Sequence, residues 1–316
     1  MAVKEVIIEE LKREPLSLSA QLKNFLVYIP FLGPFLFLVL IYFFLPVVLT
    51  TALAFTGMDS KMDWVFTGLD NFRRLFSDPL VSKIAFNTGI YVVCTCLFNV
   101  GFGLILALLT TYFVERENVG LFFRSIWLAP RMTPSVVYIL MWQYFLAPSE
   151  SGPLNQLLQF LGLPMQKMLA RQPMPIIILV NGVIGASFGM IVFSAAIKSI
   201  SVDLIRAARV DGASDMAIVR DIILPLLKWP LMFMTIWQIL SLLASYEYIL
   251  LLTDGGPFYK SEVWSLNAYH RAFSSLQFGY GAAIALILVI VGILMTFLML
   301  KLFGFQRLME PARVGA

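Results

Sequence analysis

Six residues that can hydrogen-bond or stack crowd the end of one apolar run: Gln238, Ser241, Ser245, Tyr246, Glu247 and Tyr248. Such groups are expensive in hydrocarbon unless they face protein or water. A run of them inside a membrane segment therefore reads as the wall of a cavity. Aromatic rings beside hydrogen-bonding groups suit a sugar, whose faces are apolar and whose edge is hydroxyl. The competing reading is polar packing between helices, with Tyr246 and Tyr248 in the interfacial belt. An earlier run, Asn181-Gly-Val-Ile-Gly185-Ala-Ser187-Phe188-Gly189, adds to the first. Asn181 and Phe188 stand seven apart on one helix face and can look into the same space. Gly185 and Gly189 read as close helix packing.

Catalysis fits these residues less well. Glu247 with Arg131 or His270 would be the pair for a membrane-embedded enzyme, but there is no paired acid, nucleophile–base pair or metal set. His270 is the single histidine, which excludes a multi-histidine centre. Cys94 and Cys96 share one apolar run, point in different directions on a helix and read as small core residues. A charge at the depth of Arg131 marks either a functional site or a side chain snorkelling to the interface. No Gly-x-x-x-x-Gly-Lys-Ser/Thr loop is present, so this chain is not expected to hydrolyse ATP or to bind a cofactor or metal of its own.

The elements that carry these residues follow from composition. Of 316 residues, 59% are hydrophobic and 13% charged, with mean hydropathy +0.85. A soluble domain would carry about twice that charged share. The expected fold is an all-α integral membrane protein with six spans at about 25–55, 84–114, 121–146, 174–197, 229–252 and 280–303. Together they make a membrane domain over 25–305, with a polar lead-in at 1–24 and a polar tail at 306–316. Ala52-Leu53-Ala54 mimics a signal-peptidase site, but the apolar run is twice a normal signal core and reads as an uncleaved span. Gly68-Leu-Asp-Asn-Phe-Arg-Arg-Leu-Phe76 puts Phe72, Leu75 and Phe76 at helical spacing, which predicts a surface helix. Pro130 and Pro134 are expected to kink the third span.

Between the fourth and fifth spans, Ser201 to Pro230 reads as a short helix, a turn and a short helix within a polar loop at 198–228. Ser201 and Ser214 are the expected caps, each with an acid in the first turn, Asp203 and Asp215. Leu204, Ile205, Ala208 and Val210 recur at helical spacing, as do Ile218, Ile222 and Ile223. Gly212 supplies the reversal. Ala207, Ala208, Gly212 and Ala213 are small enough to let a second body approach the backbone.

Orientation follows from basic residues. With both ends and the hairpin on one side, that side holds fourteen: Lys4, Lys12, Arg13, Lys23, Arg116, Arg124, Lys198, Arg206, Arg209, Arg220, Lys228, Lys301, Arg307 and Arg313. The other side holds eight: Lys61, Arg73, Arg74, Lys83, Lys167, Arg171, Lys260 and Arg271. The richer side is expected to be cytosolic.

The hairpin spacing is more specific than its pattern. Ala207, Ala208, Asp211, Gly212, Ala213, Ile222, Leu224 and Pro225 resemble the EAA loop of the membrane subunits of binding-protein-dependent ABC importers, in its carbohydrate-branch form. Arg206 stands where that motif usually has glutamate. Gly68–Phe72, Leu252-Thr-Asp-Gly-Gly-Pro257 and Phe278-Gly-Tyr-Gly-Ala-Ala283 are similar to the matching segments of MalF-like sugar permeases, so the likeness covers about 25–305. The resemblance implies a docking role for the hairpin, including Arg206. It also implies a sugar site on the flanking spans at Asn181, Gly185, Phe188, Gln238, Ser241 and Ser245, of which Asn181 and Gly185 keep the usual residue type. It implies a second permease subunit, two ATPase subunits that use ATP and Mg, and an external solute-binding protein. The expected location is the cytoplasmic membrane and the expected cargo a di- or oligosaccharide. Glycerol phosphate or another small polar solute is the alternative, and a secondary transporter or membrane enzyme the remoter one.

Overall fold

The computed structural model describes residues 18–303, with side chains from 29 to 302. The tail expected at 306–316 and most of the 1–24 lead-in lie outside them. The chain divides into two units, Met1–Leu53 and Ala54–Ala316.

In the first, α1 (Leu18–Val39) runs through a π-helical stretch, Leu40–Phe44, into α2 (Leu45–Ala54). Pro30 and Pro34 lie inside α1. The wide turn lies just before Pro46, the second residue of α2.

In the second unit, α3 (Asp70–Ser77) is the predicted surface helix, with Leu75 buried and Phe76 exposed. The long helix α4 (Leu80–Ala107) ends in a π-helical stretch, Leu108–Tyr112. Next come α5 (Glu117–Met132), α6 (Ser135–Phe145), and the short α7 (Pro153–Phe160) and α8 (Met168–Arg171). The long helix α9 (Pro173–Lys198) leads to the hairpin, α10 (Val202–Val210) and α11 (Asp215–Ile218). This continues through Val219–Ile223 into α12 (Leu224–Leu226). Helices α13 (Lys228–Ala244), α14 (Glu247–Thr253), α15 (Trp264–Tyr269) and α16 (Phe278–Phe303) complete it.

Among the described residues four helices are long and apolar enough to cross a membrane: Ile29–Ala54, Leu80–Tyr112, Pro173–Lys198 and Phe278–Leu302. A fifth arises if Asp215–Leu226 and Lys228–Ala244, bent by 65°, count as one. The expected third and fifth spans are not continuous helices. The third breaks between α5 and α6 at Thr133 and Pro134. Thr133 is extended, as a residue before proline prefers to be. The fifth stops at Ala244, because Ser245 is extended, and resumes at Glu247.

Helices α4 and α9 form the centre of the unit. A Cβ on Gly103 would lie 2.8 Å from the Ala186 carbonyl oxygen and 3.0 Å from Gly189 Cα. The backbones touch there, as small-residue seams in membranes allow. One core, around Tyr91, Ile177, Val180 and Ile249, packs α4, α9 and α14 together. A second joins the spans to the hairpin: Ile218, Ile223 and Leu227 are buried against Leu106, Phe193 and Met234. Each buried isoleucine contributes about 1.5–3 kcal/mol over its exposed state. The hairpin is therefore fastened to the bundle.

Candidate functional site

The two broken spans meet across a cavity of about 330 Å³. Helix α4 contributes Asn99, and α9 contributes Asn181, Ile184, Gly185 and Phe188. Helix α13 contributes Trp237, Gln238, Ser241 and Leu242. The first break supplies Arg131, Thr133 and Ser135, and the second supplies Ser245 and Tyr248. Non-helical backbone at membrane depth is tolerated where it is buried in protein or lines a wet cavity. Both breaks face this one.

A hydrogen-bonded chain sets the wall. Asn99 Nδ2 donates to Gln238 Oε1 at 3.2 Å and to Asn181 Oδ1 at 3.4 Å. Asn181 Nδ2 donates to the Tyr91 hydroxyl at 3.1 Å, which pairs with Ser245 Oγ at 3.0 Å. Asn99, Asn181 and Gln238 are buried, and Asn99 Oδ1 has no partner among the described residues. That oxygen is an acceptor waiting for a donor. Gly185 makes room for the amide: a Cβ there would lie 2.3 Å from Asn99 Nδ2. Its neighbour Gly189 is the packing glycine, against the Asn99 carbonyl oxygen and Gly103.

Aromatic rings form another side. Phe188 and Trp237 lie with centroids 6.2 Å apart, and the Arg131 guanidinium sits 5.1 Å from the Phe188 centroid. Arg131 is about 21 Å along α5 from Glu117 at 1.5 Å per residue. It lines the cavity, and its side chain is exposed.

Seven of the expected cavity residues come together: Asn181, Gly185, Phe188, Gln238, Ser241, Ser245 and Tyr248. Two do not line it. Tyr246 stacks on Tyr269 with centroids 5.0 Å apart. Glu247 accepts from Ser135 Oγ at 2.8 Å, so the first residue of α14 is tied to the first of α6. A carboxylate between two positive helix ends is favourably placed. His270 is not a partner of Glu247: it contacts Glu262 at 3.0 Å and Asp254 at 2.9 Å. Sequence reasoning missed Asn99, Thr133, Ser135 and Trp237. Asn99, an amide in the most apolar stretch of a long helix, was the available signal.

The hairpin has its own geometry. Gly212 has φ +83°, as a left-handed reversal requires, and a Cβ there would touch nothing within 4 Å. Ser214 caps α11 by accepting from the Ala217 amide at 3.3 Å. Ser201 makes no side-chain cap, contrary to expectation; Asp203 in the same turn pairs with Arg206 at 3.5 Å instead. Ile205, Ala208, Ala213, Ile222 and Leu224 pack partly against the second core. Ala207, Asp211 and Arg206 are exposed, as is Val210 at the tip. Pro225 sits at the start of α12, before the bend. The Tyr112 hydroxyl donates to Asp215 at 2.8 Å and Arg209 pairs with the same oxygen at 3.2 Å, tying the hairpin to the end of the second span. At its base Lys198 donates to Glu117 at 2.5 Å.

Residues 99–307 match the model of the binding-protein-dependent transport system inner membrane component. The chain belongs to that family. It is therefore a membrane component, non-catalytic, of the ABC transporter permease type. A probable ABC transporter permease of Pyrococcus horikoshii is 29% identical to it over 83% of this chain and 90% of its own length. The diacetylchitobiose uptake permease of Streptomyces coelicolor is 27% identical over 72% and 68%. Among solved structures, a chain of a bacterial alginate ABC transporter, crystallised with its alginate pentasaccharide-bound periplasmic protein, superposes with TM-score 0.81. It is 23% identical, over 93% of this permease and 98% of that chain. At that identity it speaks for the fold.

Proposed function

We propose that this permease is one half of the membrane channel of an ATP-driven carbohydrate importer, working by alternating access. The reading rests on the cavity. Amides, hydroxyls and two aromatic rings converge between two broken spans, as a sugar requires. The Streptomyces relative, named for diacetylchitobiose uptake, supports the same solute class. Asn181, Gly185, Phe188, Gln238, Ser241, Ser245 and Tyr248 are the proposed solute-facing residues. Tyr246 and Glu247 are proposed to hold the second break in shape behind them.

Six membrane crossings complete the domain at 25–305, the third and fifth made from broken helices, with both termini cytosolic. The hairpin at 198–228 faces the cytosol and docks an ATPase subunit through Arg206, Ala207, Ala208, Asp211, Gly212 and Ala213. Ile222, Leu224 and Pro225 seat its second arm on the bundle. A second permease closes the cavity, two ATPases supply ATP and Mg, and an external binding protein delivers the solute. ATP favours the closed ATPase dimer, and its differential affinity for the two states moves the hairpins and the cavity with them.

The test is uptake in vesicles holding the whole assembly. Gly212→Val should abolish ATP-dependent uptake while the protein stays inserted. Unimpaired transport in that variant would sink the docking role. Uptake without ATP, driven by a proton or sodium gradient, would point to a secondary transporter. Preference for glycerol phosphate over every sugar would move the solute to the alternative class.

A further inference from the structure

We propose that the solute carries a carboxylate, making the cargo an acidic sugar chain of the uronate type, and that Arg131 is the residue that recognises it. This deepens the carbohydrate-importer reading and rests on it. Among the described residues, Arg131 is the only charged one in the cavity lining. Its side chain is exposed, and among the described residues no carboxylate lies within 4.0 Å of it. An unpaired cation at membrane depth is costly and is retained where it meets a ligand or a water-filled space. Glu247 lies outside the cavity lining and is taken up by its hydrogen bond from Ser135.

The geometry around Arg131 is that of a fixed receptor. Its guanidinium carbon stands over the Phe188 ring, 5.1 Å from the centroid, a cation–π contact that leaves its N–H donors for a ligand. A planar fork of donors matches a planar carboxylate two bonds at a time. A phosphate dianion would call for more than this single cation. The rest of the wall reads the remainder of a sugar: Ser241 lines the cavity with its side chain exposed, and Trp237 is half exposed beside Phe188 as a stacking face.

The experiment uses the purified assembly of this permease with its partner permease and ATPases, without the binding protein, whose own selectivity would mask the cavity. The probes are oligogalacturonates and oligomannuronates of two to four units, and the same oligosaccharides as neutral methyl esters. Losing a charge-assisted pair corresponds to about tenfold to a hundredfold in affinity. Wild-type assembly should bind the acids tighter than the esters by that factor. Arg131→Gln should lose the difference by weakening the acids alone, and Arg131→Lys should restore part of it. Equal binding of acids and esters to wild type, or acid binding untouched in Arg131→Gln, overturns the inference and leaves the carbohydrate reading standing. If neither form binds an assembly that still hydrolyses ATP, this inference falls, and only failure of neutral oligosaccharides such as diacetylchitobiose to bind as well would bring down the carbohydrate reading.

Discussion

Gly185 shows how one hydrogen atom shapes the cavity. The Asn99 amide occupies the space a Cβ would need and from there donates to both Asn181 and Gln238. Gly185→Ala should push that amide away, cost about 1–3 kcal/mol of stability, and weaken solute binding in the inserted protein. Gly89 is the matched control, with nothing within 4 Å of its ideal Cβ. Gly89→Ala should melt at or above the wild-type temperature and bind normally. Thermal unfolding and ligand binding of the two variants check this; equal behaviour would mean that the amide's position does not matter. Glu117 is a second residue-scale case. Its hydrogen bond from Lys198 holds its carboxyl below the usual glutamate range. A carboxyl depressed on folding adds stability above its unfolded value, about 4.3, and loses it as pH falls through the folded value. The pair is therefore present at neutral pH and lost in acid below about pH 4. Glu117→Gln should flatten the acid limb of the thermal stability profile and leave the neutral region nearly unchanged.

At the scale of elements, the hairpin has a buried root and an exposed tip. Ile218 and Ile223 are fully buried under the spans, whereas Val210 and Met216 stand out in the open. Under the proposed coupling role, motion applied at the tip would be carried into α4, α9 and α13 through this packing. Asp215 strengthens that joint, since Tyr112 from the second span and Arg209 from the first arm converge on it. Asp215→Asn should uncouple the ATPase from uptake: ATP hydrolysis by the assembly persists while transport falls severalfold. Equal loss of both rates would assign Asp215 to docking rather than to transmission. The breaks at Thr133 and Ser245 are the other elements that matter. Each frees backbone groups, and at the second the Ser245 carbonyl is satisfied by Ser265 Oγ at 2.8 Å.

At the scale of the whole molecule, the orientation proposed from basic residues places Val210 and Phe258, both highly exposed, on opposite sides of the membrane. In a chain with Cys94 and Cys96 replaced by alanine, Phe258→Cys should react with an impermeant maleimide in intact cells. Val210→Cys should react only after permeabilisation, in cells lacking the ATPase. The reverse pattern would turn the molecule over and end the docking account.

The sequence by itself determined the membrane class, the helices and the hairpin, because apolar length, helical spacing, Gly212 and the Ser214 cap act over a few residues. It also picked out most of the cavity wall, because amides and hydroxyls in apolar runs are costly enough to need a reason. The break at Thr133 was half legible, since Pro134 announces a kink but not a gap facing a cavity. Only the tertiary structure decided the rest. No proline stops the fifth span at Ser245; partners from α4 and α15 stabilise that gap, and they are distant in the chain. Glu247 left the wall because Ser135, more than a hundred residues earlier, claimed it. Arg131 entered the wall because the break at Thr133 and Pro134 leaves the end of α5 beside Phe188 of α9. These outcomes depend on which helices meet, and local pattern carries no information about that.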